Sequence, residues 1–245
     1  MRNLILVPGL NNTAAVWNEV VSELAGKANC WPVTNPVLDS VDAIAEQLLP
    51  QLPDRFHLCG FSFGGYVSLA ILAIVPERVE GLALVGTTTF ADSPQQIEAR
   101  AKMAAAVRAG DYESLIAEQA AGAFHPESLT RPDVMTRRQQ IVAAYGRDRY
   151  LAHQAAAIRR PDRTHLVDAF SGPVLLVAAE QDAVCPPAAM KRMLPRIPAA
   201  AFETIGPSGH LLPLEQPAAL AAVLANWLHA NEASCEPLRV RRNSA

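Results

Sequence analysis

Ser62 carries the first chemical signal in the chain. It sits in Gly60-Phe61-Ser62-Phe63-Gly64-Gly65, after the apolar run Phe56-His57-Leu58-Cys59 and before the apolar stretch Tyr66 to Val75. A serine hydroxyl is a weak nucleophile until it is held exposed and relieved of its proton. A sharp strand-to-helix turn does the holding, provided its neighbours carry no side chains that collide across the bend. Gly60 and Gly64 supply that space, and Gly65 lets the following helix lie close to the sheet. The bare pattern Gly-x-Ser-x-Gly is weak: with 13 glycines in 245 residues, chance produces it in roughly a few per cent of such chains. Its position between an apolar strand and an apolar helix is what makes it specific.

An activated serine needs a base, an acid to orient the base, and donors for an oxyanion. Of the six histidines, His57 lies inside a strand and reads as structural, and His229 falls in a terminal helix. His125, His153 and His165 belong to a helix-rich central stretch or its edge. His210 stands apart in Gly206-Pro207-Ser208-Gly209-His210, a loop after the last strand and before the last helix. Loops at the carboxyl ends of parallel strands are where ligand chemistry collects. A loop histidine alone is incidental more often than catalytic; beside the serine turn, His210 becomes the candidate base. Asp182 follows a strand directly and is the candidate acid, its competing reading being an ordinary turn aspartate. Asp162 and Asp168 are rivals with no strand close before them, and Glu180 would have to point away. For the oxyanion, the Phe63 N–H at a helix start is one candidate donor. The second is the Leu10 N–H, in the loop Pro8-Gly9-Leu10-Asn11-Asn12, where an ordinary glycine turn is the alternative.

Loop donor, serine, acid and histidine occur in that order along the chain. Serine before acid before histidine is the order of the α/β-hydrolase fold, and the chain resembles that family from Leu4 to about Trp227. The most specific segments are Gly60 to Gly65 and Ser208-Gly209-His210-Leu211-Leu212-Pro213-Leu214-Glu215-Gln216-Pro217, the second similar to the family's common histidine loop. Ala156-Ala157-Ile158-Arg159-Arg160-Pro161-Asp162 is also similar to the end of the insertion in small bacterial carboxylesterase-like members. The resemblance implies Ser62, Asp182 and His210 as a triad, with Leu10 and Phe63 as oxyanion donors. Pro8-Gly9 stands where many relatives carry His-Gly. The chain opens on what would be the family's third strand, which implies a sheet of about six strands.

The elements that must position these groups are legible as alternating apolar runs and helical patterns. Strands are expected at Leu4 to Val7, Cys30 to Val33, Phe56 to Cys59, Leu82 to Val85, Val174 to Ala178 and Ala200 to Ile205. Helices are expected from a Thr13 cap through Leu24, over Val41 to Leu49 up to Pro50, after Ser62, and from Pro217 to about His229. That alternation predicts an α/β fold, a mostly parallel sheet with helices on both faces, and continuous apolar strands fit burial on both sides. The stretch 92–165 contains no convincing strand, and Pro126, Pro132 and Pro161 divide it into several helices. It is expected to be a helical lid inserted into a core formed by 1–91 and 166–230, with 231–245 a flexible tail. Phe61, Phe124 and Tyr145 are candidates to line an apolar substrate pocket; packing between lid and sheet is the favoured alternative for each.

Composition sets the outer bounds. Half the residues are hydrophobic, net charge is -3 and the pI is near 6.1, so phosphate neutralisation by clustered basic residues is not expected and nucleic acid is an unfavoured partner. Arg239, Arg241 and Arg242 lie in the polar tail. Cys30, Cys59, Cys185 and Cys235 are too scattered for a metal site or a disulfide framework. The N-terminal apolar run is too short for a secretory signal, and Val67 to Val75 falls far short of a membrane span. A soluble cytoplasmic enzyme is expected, needing no metal or organic cofactor and acting on a small-molecule ester or acyl substrate. Lactone or carbon–carbon bond hydrolysis by the same triad, and a non-catalytic ligand-binding receptor, are the alternatives.

Overall fold

The computed structural model describes residues 1–230; positions 231–245, with Cys235, the three tail arginines and the expected flexible tail, lie outside the described residues. Strand β1 (Asn3–Val7) is buried at every position after Asn3. It pairs with β2 (Asn29–Pro32) on one side and β3 (Phe56–Phe61) on the other, and the sheet continues through β4 (Val79–Val85), β5 (Val174–Ala179) and β6 (Ala201–Ile205). The order is β2-β1-β3-β4-β5-β6, every pairing parallel. This is the expected six-stranded architecture, with strand bounds within one to three residues of those expected.

The first helical pattern breaks in two: a 3-10 turn over Ala14–Trp17, with the Thr13 hydroxyl accepting from the Ala15 N–H at 3.4 Å, precedes α1 (Asn18–Glu23). Helix α2 (Val41–Leu48) is capped by the Ser40 hydroxyl on the Ala43 N–H. Helix α3 (Phe63–Ile74) follows Ser62 without a break. Between β4 and β5 lie α4 (Pro94–Ala109), α5 (Tyr112–Glu118), α6 (Ala120–Ala123), α7 (Pro126–Leu129), α8 (Pro132–Tyr145), α9 (Arg147–Arg159) and α10 (Thr164–Ala169). Pro126 and Pro132 open α7 and α8 at their first positions, where a missing N–H costs nothing, and Pro161 follows the end of α9. After β5 come α11 (Pro187–Lys191), α12 (Leu212–Glu215) and α13 (Pro217–Ala230).

Alternate residues of each strand face opposite layers. Ile5, Val7, Leu58, Leu84 and Leu176 pack with Ile44 and Leu48 of α2 and Val67 and Ile71 of α3. Leu4, Leu6, Cys59, Val85 and Val177 pack with Trp17, Val20 and, from α13, Leu224 and Trp227. Burying one such Leu or Ile is worth about 1.5–3 kcal/mol, so both faces are covered at a gain. The insertion has a small core of its own around Val107, Tyr112, Ile116, Val142, Tyr145 and Tyr150. No helix among the described residues is long and apolar enough to cross a membrane.

Candidate active site

Ser62 occupies the junction of β3 and α3 with φ 51° and ψ -118°, a backbone conformation that L-residues adopt only where the surroundings impose it. Its N–H is held by the Val85 carbonyl at 2.9 Å. The glycines explain why the turn closes. A Cβ on Gly64 would overlap the Val7 carbonyl of β1, and one on Gly60 would lie 2.6 Å from the Gly64 oxygen and the Ser68 hydroxyl. Removing those carbons lets α3 seat against the sheet and lifts the serine at its apex.

The Ser62 Oγ lies 2.9 Å from His210 Nε2, and His210 Nδ1 lies 2.7 Å from Asp182 Oδ2. The other carboxylate oxygen, Oδ1, accepts the N–H groups of Val184 and Cys185, each at 2.8 Å. Because the carboxylate only accepts, Nδ1 carries the ring proton and Nε2 is left to accept from Ser62. The rival acids are engaged elsewhere. Glu180 Oε2 accepts from Gln181 Nε2, Asp162 from the Thr164 N–H, and Asp168 pairs with Arg196.

Leu10 and Phe63 line the space in front of Ser62. Four successive carbonyls in the Leu10 loop are each held by a donor: Pro8 by Asn35 Nδ2, Gly9 by the Asn12 N–H, Leu10 by Asn12 Nδ2, and Asn11 by Arg138 Nη1. Among the described residues neither the Leu10 nor the Phe63 N–H donates to a protein acceptor. Phe63 is also the first residue of α3, where unpaired N–H groups favour negative charge.

Behind this loop, Tyr145 hydrogen-bonds His153 Nδ1 at 2.5 Å and faces the Asn11 N–H. His153 Nε2 donates to the Pro36 carbonyl at 2.7 Å, so Nδ1 accepts from the tyrosine. Burial lowers the His153 pKa to about 4, and its ring stacks on Phe63 with centroids 4.8 Å apart.

A cavity of 490 Å³ opens over Ser62 between the sheet and the insertion. Phe124, one of the three pocket candidates, lines it. Phe61 and Tyr145 do not: Phe61 is fully buried beneath the His210 ring, 5.2 Å centroid to centroid and edge-on to Trp17, and Tyr145 is turned into the insertion's core. Both correct the pocket expectation, because side-chain type and position in the chain do not reveal which face of the turn or helix is covered. Cys185 lines the cavity, but burial, reinforced by the Asp182 charge, pushes its thiol up to about 12, so it is a poor nucleophile.

Residues that pattern reading passed over hold the site together. Glu215 is 2% exposed, and its Oε2 accepts the N–H groups of Gly209 at 3.1 Å and His125 at 2.8 Å. The His210 N–H donates to the Ala123 carbonyl at 2.7 Å. The insertion is thus bonded to the loop bearing His210. Glu215 falls within the histidine-loop segment quoted above, and that was its only signal; Asn35 and Arg138 had none.

Residues 4–223 match the sequence model of the alpha/beta hydrolase family, and the chain belongs to that family. With the esterases among its relatives, this makes it a hydrolase of the carboxylesterase type. It is 30% identical over 182 residues to the pimeloyl-[acyl-carrier protein] methyl ester esterase of Neisseria meningitidis serogroup C, covering 71% of this chain and 68% of that protein. The enzyme of the same name from Nitrosomonas europaea is 33% identical over 94 residues, 35% of this chain and 37% of that protein. A thermophilic esterase structure from Thermogutta terrifontis, with malate bound, superimposes with a TM-score of 0.87 at 26% identity, covering 94% of this chain and 90% of that one.

Proposed function

We propose that the protein cleaves a small carboxylic ester through an acyl-enzyme on Ser62. In this reading Ser62 Oγ attacks the ester carbonyl carbon while its proton passes to His210 Nε2. Asp182 holds the imidazole in the accepting tautomer and stabilises the imidazolium that forms. The tetrahedral oxyanion is received by the Leu10 and Phe63 N–H groups, and one such donor is worth about 3–4 kcal/mol. The tetrahedral intermediate then collapses, expelling the alcohol, which takes the His210 proton. A water deprotonated by His210 attacks the acyl-enzyme and releases the acid and the free serine.

The observation that carries this reading is the unbroken hydrogen-bonded series Ser62–His210–Asp182 opening onto a cavity beside two free N–H donors. The insertion acts as the lid, with Phe124 on its inner surface. The named substrate of the relatives is a methyl ester, and a methanol-sized leaving group suits the same chemistry.

A short-chain 4-nitrophenyl ester tests the proposal. Turnover abolished by Ser62→Ala, with a serine-directed fluorophosphonate adding mass to wild type and not to the variant, supports it. Undiminished turnover in Ser62→Ala would sink it.

A further inference from the structure

Arg138, on α8, reaches the same cavity as Ser62. Its Nη1 makes both of its hydrogen bonds, to the Asn11 carbonyl at 2.8 Å and Asn12 Oδ1 at 2.9 Å. Three N–H groups remain, one on Nε and two on Nη2, with no protein acceptor among the described residues. No carboxylate lies within ion-pair distance of the guanidinium among those residues. The ionisable groups that act on its charge are the phenols of Tyr112 and Tyr145. Burial lowers its pKa to about 10, which still leaves it cationic at neutral pH.

The rest of the wall has the same sign. Arg100 also lines the cavity; its Nε pairs with Asp92 at 2.6 Å, and Asp92 is shared with Arg160 at 2.8 Å. One carboxylate between two guanidinium groups leaves a net positive charge. No Asp or Glu lines the cavity. A half-buried cation without a counter-ion is costly to fold around, and the Nε–Nη2 edge of a guanidinium matches a carboxylate in a two-bond fork. The missing partner is therefore an anion that arrives with the substrate.

We infer that the preferred substrates are esters bearing a second, free carboxylate, such as half-esters of short dicarboxylic acids, with Arg138 receiving that carboxylate. This rests on the proposed ester hydrolysis for the reacting end and extends it to the other end of the molecule. Arg138 both braces the Leu10 loop and meets the anion, so overall activity does not separate its roles. The ratio of kcat/KM between a charged and a neutral ester of equal length does.

The experiment compares monomethyl glutarate and monomethyl adipate with methyl esters of the straight-chain acids of matched length, in wild type, Arg138→Gln and Arg138→Lys. Wild type should favour the half-esters. Arg138→Gln should lower the half-ester to neutral-ester ratio by about 10–100-fold, the range of a hydrogen bond to a charged group, and Arg138→Lys should restore part of it. An unchanged ratio in Arg138→Gln, or a wild-type preference for the neutral esters, overturns the inference. Calorimetric binding of free glutarate to Ser62→Ala, and to Ser62→Ala with Arg138→Gln, separates the two ideas. Arg138-dependent binding without turnover of any ester by wild type would sink the serine mechanism and keep the anion site. Ser62-dependent cleavage of neutral esters with no glutarate binding would sink the anion site alone.

Discussion

Glu215 offers the sharpest test of how the site is held. Its buried Oε2 is the acceptor for two backbone N–H groups, one on Gly209 beside the candidate base and one on His125 in the insertion. Glu215→Ala removes the acceptor and leaves both donors without a partner. Each stranded buried donor costs about 1–3 kcal/mol, so the expected loss is about 2–6 kcal/mol. For a protein of this size 1 kcal/mol moves Tm by about 2–4 °C, which predicts a fall of roughly 5–20 °C. Glu215→Gln keeps a carbonyl oxygen able to accept both N–H groups and should recover most of that loss. Turnover should fall as well, because a displacement of about 1 Å in a reacting group costs on the order of 10²-fold. Thermal melting by circular dichroism, with steady-state ester hydrolysis well below the transition, measures both effects. If Glu215→Ala melts within about 1 °C of wild type, or Glu215→Gln falls as far as Glu215→Ala, the two bonds do not hold the histidine loop and the reasoning fails.

The other expectations can be checked separately. Asp182→Asn keeps the Val184 and Cys185 bonds through its oxygen but turns an NH₂ toward Nδ1, driving the ring proton onto Nε2; turnover should drop by about 10⁴, as in a protease triad, and near-normal hydrolysis would remove Asp182 from the acid role. Gly64→Ala forces a methyl group into the Val7 carbonyl and should cost about 3 kcal/mol of stability; an unshifted urea midpoint would mean that α3 can back away from β1. His57 and His153 are fully buried, and burial lowers both from the ordinary 6.5 to about 4. Between those values the unfolded chain binds protons there that the folded chain does not, so stability is complete above pH 6.5 and is lost as pH falls toward 4, by about 3 kcal/mol per histidine. Urea unfolding from pH 7 to 4.5 measures that slope, and His153→Gln should flatten it by close to one proton.

The central strands were plain in the chain because they are buried on both faces and so read as unbroken apolar runs: β3 and β5 have no exposed residue. The edge strands β2 and β6 are mostly exposed, which is why their runs are weaker. The insertion was harder. Helix α4 buries only Ala104 and Val107 over sixteen residues, so its apolar stripe is too thin to show which side is covered. Tyr145 and Arg138 lie on α8, whose fourteen residues bury only Val134, Ile141, Val142 and Tyr145, and a stripe that short hid the inward turn of the one and the approach of the other to the cavity.

Residue types and their nearest neighbours settled what is local: the small residues that let a tight turn form, the apolar periods that make strands and helices, and the order of serine, acid and histidine. Whether those groups meet is not local. Ser62 and His210 are 148 positions apart, and their approach is decided by a parallel sheet that brings the carboxyl ends of β3, β5 and β6 to one edge. The supports at that edge, the Glu215 clasp, the pinned carbonyls and a guanidinium without a counter-ion, come from segments with no common pattern. Hydrogen-bond partners are chosen by distance in space, and only the folded chain sets that distance.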